Sequence, residues 1–332
     1  MQRLGREAGG WTWDDEINFG FEVPKENFRE ALAVYREALL DLQFEEAWFE
    51  DEKRVVRQEM HRGFEQPDRI LYNAWDELAF RVHPYGRPVI GSEKAVLALD
   101  LEATERYYRE RFTPNHTILS VAGDFDPEEM TAWLREEWGA LAPGPLSFEL
   151  GLAEPEQRGP RTRTEHVPQT SDGLVLTGVV VPGGAHADTP ALTLLAALLN
   201  DASHGLPQYL VEQEKWVSSV GAAHYVMKDY ATLRISARMR PETVAAVTDF
   251  ANSFLLDFDP TRVPGAIFEE VRRSLLAQEA RAGATAADRA ERLGILVNRR
   301  GLDAARALLD RYAALTPADV LAALLNDASH GL

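Results

Sequence analysis

Between residues 83 and 91 the chain reads His83-Pro84-Tyr85-Gly86-Arg87-Pro88-Val89-Ile90-Gly91, and two prolines and two glycines in these nine positions let neither a helix nor a strand run through. This break fixes the layout on both sides. Upstream, Ile17-Asn18-Phe19-Gly20-Phe21-Glu22-Val23 alternates apolar and polar, which predicts a half-buried strand ended by Pro24. From Asn27, a candidate N-cap, the period turns helical, with Phe28, Ala31, Leu32, Tyr35, Ala38 and Leu39 on one face. A second amphipathic helix is predicted over 45–62, with Trp48, Val55, Val56 and Met60 among its apolar positions, and a third over 68–80. Downstream, the pattern gives a helix over about 100–112, a strand over 117–122 and a helix over 127–138.

Ala142-Pro143-Gly144-Pro145 and the charged run 154–163 read as a surface linker. The second half predicts a strand at 174–181, helices at 189–200 and 206–214, a strand pair across 217–239, and helices from about 241 onward. Strands followed by runs of helices in each half imply an α+β protein rather than a doubly wound sheet. With 332 residues two cores are expected, and the boundaries are set at 1–148 and 165–332 with 149–164 as linker.

Bulk properties narrow the partners. A formal charge of −18 argues against nucleic acid, because phosphate binding needs clustered Lys and Arg. No apolar run approaches 18 residues, so no membrane span is predicted. There is no cysteine, which excludes disulfides and Cys-ligated zinc. The start lacks an apolar signal core, so a cytoplasmic location is the expectation, with export compatible if the true N-terminus lies upstream of Met1.

One feature is independent of any fold. Residues 195–206, Leu-Ala-Ala-Leu-Leu-Asn-Asp-Ala-Ser-His-Gly-Leu, recur without a change at 321–332, with unrelated flanks. Solenoid repeats are inexact and recur several times. The sharp edges point to a recent DNA-level event or an assembly error at the 3′ end, and the rival is a genuine terminal helix that copies an internal one.

Chemistry-bearing residues are few. Glu52 and Glu59 are seven apart on the second predicted helix, close to two turns, so both carboxylates point the same way. On composition alone this is a solvated acidic face. His61 and Glu65 stand beside Glu59 at i, i+4 spacing, which is more often a surface pair than a metal site. His186, His204 and His224 have no ligand-like spacing.

Taken together, the 83–91 loop, Tyr107-Tyr108-Arg109-Glu110-Arg111-Phe112-Thr113-Pro114-Asn115, Val121-Ala122-Gly123-Asp124-Phe125 and the helix Glu52-Lys53-Arg54-Val55-Val56-Arg57-Gln58-Glu59 resemble the insulinase/pitrilysin-type (inverzincin) zinc metallopeptidases, which include the mitochondrial processing peptidase. The second half is similar to the partner domain of large bacterial members through Val181-Pro182-Gly183-Gly184, Leu210-Val211-Glu212 and Leu308-Leu309-Asp310-Arg311-Tyr312. The resemblance implies two related domains, each a mainly antiparallel sheet backed by helices. In the family a His₂Glu zinc site leaves one position for water, and the general base is the Glu of H-x-x-E-H.

By that resemblance Glu59 is the third zinc ligand and Glu52 its supporting acid. Leu4-Gly5 and the residues up to Thr12 and Asp15 follow the family's L-G-x-x-x-N-A-x-T-x-x-D, so Thr12 and Asp15 belong to the substrate wall, while Gly9 replaces the Asn. His83 is structural in the family rather than a ligand. Val211 and Ser218 fall near positions where some relatives carry a carbonyl-binding Arg and Tyr.

H-x-x-E-H itself occurs nowhere in the chain. The resemblance therefore implies zinc in the intact family, and as partners peptides or small unfolded proteins and a second half or subunit of the same family. Three readings stay open. The chain is a fragment of a zinc metalloendopeptidase, lacking its first strand and zinc helix and its final strand, and inactive alone; or it is a complete non-catalytic peptide-binding or scaffolding subunit; or the similarity is one of fold only.

Overall fold

The computed structural model describes residues 7–145, 152–168 and 170–328. Leu4-Gly5 of the N-terminal motif, the first residues of the 149–164 segment and the last four of the C-terminal repeat lie outside them. The chain divides into two compact units, one of residues 1–61, 89–151 and 282–295, the other of 62–88, 152–281 and 296–332. Among the described residues no helix is long and apolar enough to cross a membrane.

In the first unit β1 (Glu7–Thr12) pairs antiparallel with β2 (Ile17–Glu22), from Glu7 opposite Glu22 to Thr12 opposite Ile17. Helix α1 (Phe28–Leu40) packs on this hairpin through Tyr35, whose hydroxyl donates to Gly20 O at 2.7 Å and whose ring lies 4.6 Å from that of Phe21. Asn27 precedes α1 as expected, but its side chain makes no cap bond, because Lys25–Asn27 already forms a 3₁₀ turn. Helix α2 (Glu46–Phe64), whose last residues belong to the second unit, is followed there by α3 (Pro67–Ala79).

Helix α4 (Glu93–Ala98), which the periodicity missed, precedes α5 (Leu101–Arg111), and α6 spans Pro127–Trp138. The strand expected at 117–122 is not formed: an extended apolar segment becomes a strand only beside a partner, and here Ile118 and Leu119 are exposed. The buried apolar residues described in this unit are only Ala31, Leu32, Met60 and Val96.

The second unit holds the rest of the core. Its sheet runs β3 (Gly173–Pro182), β5 (Tyr230–Met239), β4 (Val217–Val226), all antiparallel, with a bulge at Val217/Ser219. Strand side chains alternate between faces. Val175, Val179 and Val181 with Leu233 and Ile235 face a core built on α7 (Thr189–Leu199), α8 (Val244–Asp257) and α9 (Gly265–Arg281). Leu176, Val180 and Tyr230 face α3 and the loop after it, against Trp75, Ala79, Phe80 and Tyr85.

Covered on both faces, β5 reads as nearly continuous burial, and α7, apolar almost all round, is the centre of the core. After α7, the segment expected as a helix at 206–214 is a π-helical turn, Gln208–Gln213, widened by bonds from Glu214 N to Tyr209 O and from Trp216 N to Leu210 O. Helices α10 (Ala286–Arg300), α11 (Leu302–Arg306), α12 (Leu308–Ala314) and α13 (Pro317–Ala323) close the chain, α13 with a Thr316/Asp319 capping box. In the 83–91 loop Gly86 is required: a Cβ there would lie 2.2 Å from Phe80 O.

Candidate functional site

Helix α2 separates its residues into two stripes at 3.6-residue spacing. Phe49, Lys53, Val56 and Met60 are half-buried or buried; Trp48, Glu52, Val55 and Glu59 all face out. Trp48 is 62% and Val55 46% exposed, so the outward stripe mixes two large apolar side chains with the two carboxylates that the sequence singles out. A solvated acidic face does not need a tryptophan.

Glu52 and Glu59 stand two turns apart, about 10.5 Å along the helix axis. Thr12 ends β1 and is exposed, and Asp15 is half-buried in the turn between β1 and β2. Beside Glu59, Arg57 donates from Nε and Nη2 to Glu93 Oε1 at 3.0 and 2.8 Å, and His61 Nε2 lies 3.6 Å from the same oxygen. Arg57 and His61 hold the Glu93 carboxyl below the usual carboxylate range, and His61 is thereby turned to Glu93 rather than to Glu65.

Zinc can be tested against these donors. Among the described residues no three His, Cys, Asp or Glu side chains converge as a metal's ligands must. The residues present do not fit a complete zinc site.

In the second unit side chains meet the outer edge of β4 at two points. Asn200, at the end of α7, donates from Nδ2 to Ala222 O and accepts from Ala222 N, each at 2.7 Å, and Arg299 Nη1 donates to Val226 O at 3.1 Å. Ser218 Oγ donates to Arg238 O, and Val211 packs against the core, so neither position presents an Arg or Tyr to a peptide carbonyl.

His83 is buried, with its Nε2 3.4 Å from Asp229 Oδ2 and its Nδ1 accepting from Tyr85 N. Nothing in the local pattern marks Asn200, or the buried Arg234, whose Nη2 meets Asp76 Oδ1 at 2.6 Å over the ring of Trp75.

Comparison with known proteins places these features. Residues 98–275 match the model of the peptidase M16 inactive domain. An uncharacterized zinc protease of Mycobacterium leprae is 29% identical over 257 residues, covering 77% of this chain and 58% of that protein. A probable mitochondrial-processing peptidase subunit beta of Schizosaccharomyces pombe is 20% identical over 318 residues, 83% of this chain and 67% of that one. The crystal structure of a protease from Helicobacter pylori superposes with a TM-score of 0.90 at 20% identity, covering 98% of this chain and 80% of that chain, a likeness of fold. The chain thus spans under two thirds of the length of the mycobacterial relatives, 58% and, for the Mycobacterium bovis protein, 57%.

Proposed function

The chain belongs to the M16 peptidase family, and from that membership we propose that it is the non-catalytic part of a zinc-dependent metalloendopeptidase, inactive alone and completed by a segment that carries H-x-x-E-H. The observation that carries this reading is the outward stripe of α2, where Trp48 and Val55 lie exposed alongside Glu52 and Glu59. A complementary apolar helix covering Trp48 and Val55 would bring its histidines over Glu59, making Glu59 one ligand of a set whose other members lie outside these 332 residues, with Glu52 supporting it. The small buried set of the first unit supports the same reading, since a unit of this size ordinarily has its own core.

This chain's own part is to hold the substrate. Strand β1 pairs on one side with β2. An extended peptide adding to its other side gains main-chain hydrogen bonds, with Thr12 and Asp15 as the wall at its end. Such pairing tolerates many sequences and suits peptides or small unfolded proteins.

The test is a long DNA read across the locus, followed by co-expression of this chain with whatever segment encodes H-x-x-E-H in frame. Expected is no hydrolysis of a quenched peptide by the chain alone, and zinc-dependent hydrolysis by the pair that disappears in Glu59→Gln. Hydrolysis by the chain alone overturns the proposal. A chain that is monomeric alone and melts cooperatively replaces it with the complete non-catalytic subunit.

A further inference from the structure

The run Glu154-Pro155-Glu156-Gln157-Arg158-Gly159-Pro160-Arg161-Thr162-Arg163 has the composition of a solvated connection, yet the second unit grips it at defined points. The carboxylate of Glu154 accepts the main-chain N–H groups of Arg81, Val82 and His83 at 2.8, 2.9 and 2.9 Å. Three successive N–H donors turned to one oxyanion make a concave anion seat. These bonds hold the Glu154 carboxyl below the ordinary range, outweighing the larger opposing effect of its partial burial. The N–H of Glu154 itself donates to the Tyr230 hydroxyl at 2.8 Å, which ties the same residue to β5.

Seven residues on, the polarity reverses. Arg161 Nη1 donates to Leu78 O at 2.6 Å and to Ala79 O at 3.3 Å. These are among the last carbonyls of α3, which have no partner within the helix and carry the negative end of its dipole. Arg163 then pairs with Glu77 at 2.6 Å. One short stretch therefore places an acid on the N–H groups just past α3 and a base on the carbonyls just before them. A solvated tether has no reason to match both signs.

We propose that residues 152–163 are a strap that fastens the end of α3 and the loop after it to the sheet of the second unit, with Glu154 as its lock. Residues 62–88 precede the strap in sequence by some distance but share its unit, and the strap is the polar link that complements the apolar packing of Trp75, Phe80 and Tyr85. This inference does not depend on zinc, on peptide binding or on the α2 stripe.

The experiment uses the full chain, as wild type, Glu154→Gln and Arg161→Met, with trypsin cleavage after the exposed Arg158 and amide exchange as readouts. Glutamine keeps the shape but loses the charge shared by three donors. Expected is an increase of about tenfold or more in cleavage after Arg158 and in exchange of the 81–83 amides, while amides of β3 and β5 stay protected. Arg161→Met should speed the cleavage in the same direction. Unchanged cleavage and exchange in Glu154→Gln overturn the proposal. Equal loss of protection in β3 and β5 also overturns it, since Glu154 would then be part of the core's stability rather than a local lock.

Discussion

The side-chain amide of Asn200 bonds both the N–H and the C=O of Ala222, at 2.7 Å each, and so occupies the outer side of β4 as a neighbouring strand would. An unpaired sheet edge is a template for another chain, and proteins close such edges with side chains or charge. Asn200→Ala should lower the stability of the second unit by about 1–3 kcal/mol in urea unfolding. Asn200→Asp should be at least as damaging, because a carboxylate would face the Ala222 carbonyl. A variant as stable as wild type would show that water replaces the amide without cost.

The repeated dodecapeptide offers a comparison at fixed local sequence. Leu199 in the first copy is 0% exposed, whereas its counterpart Leu325 is 56% exposed. Leu199→Ala should cost about 2–5 kcal/mol, and Leu325→Ala less than about 0.5 kcal/mol, both read from denaturant midpoints. Equal effects would mean that the terminal copy is packed in solution.

Acid should weaken the second unit earlier than its carboxylates require. His224 has a ring Nε2 shielded from solvent and without a partner, and Nδ1 2.9 Å from Thr193 Oγ1. Burial first, and the charge of Arg300 second, push its pKa from 6.5 down to about 3. The folded chain keeps the ring neutral while the unfolded chain takes up a proton below about pH 6.5, so stability falls as pH drops through that value towards 3. Between pH 7.5 and 5 the loss should be roughly 1–2 kcal/mol, and His224→Gln should flatten it. An unchanged slope in the variant would place the effect elsewhere.

Arg234 lies under Trp75 with a centroid distance of 4.2 Å and is 7% exposed, paired with Asp76. Asp76→Ala leaves a guanidinium buried without its counter-charge and should cost about 3–5 kcal/mol. Arg234→Met keeps apolar contact with Trp75 and should cost less. The reverse order in thermal melts would mean that water reaches Arg234 when Asp76 is removed.

Much of this architecture was legible because periodicity is a local property. The alternation from Ile17 and the helical spacing of Phe28, Ala31, Leu32 and Tyr35 each depend on a handful of neighbours, and they correspond to β2 and α1. The segment 117–122 has a strand's composition too, but pairing depends on a second segment, and among the described residues none pairs with it. Contacts such as Asp76 to Arg234 join residues 158 positions apart and leave no local trace. As for the candidate site, spacing alone put Glu52 and Glu59 on one face, as α2 does; the sequence reading pooled Trp48, Val55, Val56 and Met60 as one apolar set, whereas the helix turns Trp48 and Val55 outward beside the two carboxylates and Val56 and Met60 inward.

The unequal division of buried side chains between the two units has a calorimetric consequence. The heat-capacity increment of unfolding scales with the apolar surface newly exposed to water. Since the described residues of the first unit bury little beyond Ala31, Leu32, Met60 and Val96, the chain should melt with the increment of a markedly shorter protein, and its stability curve against temperature should be correspondingly flat.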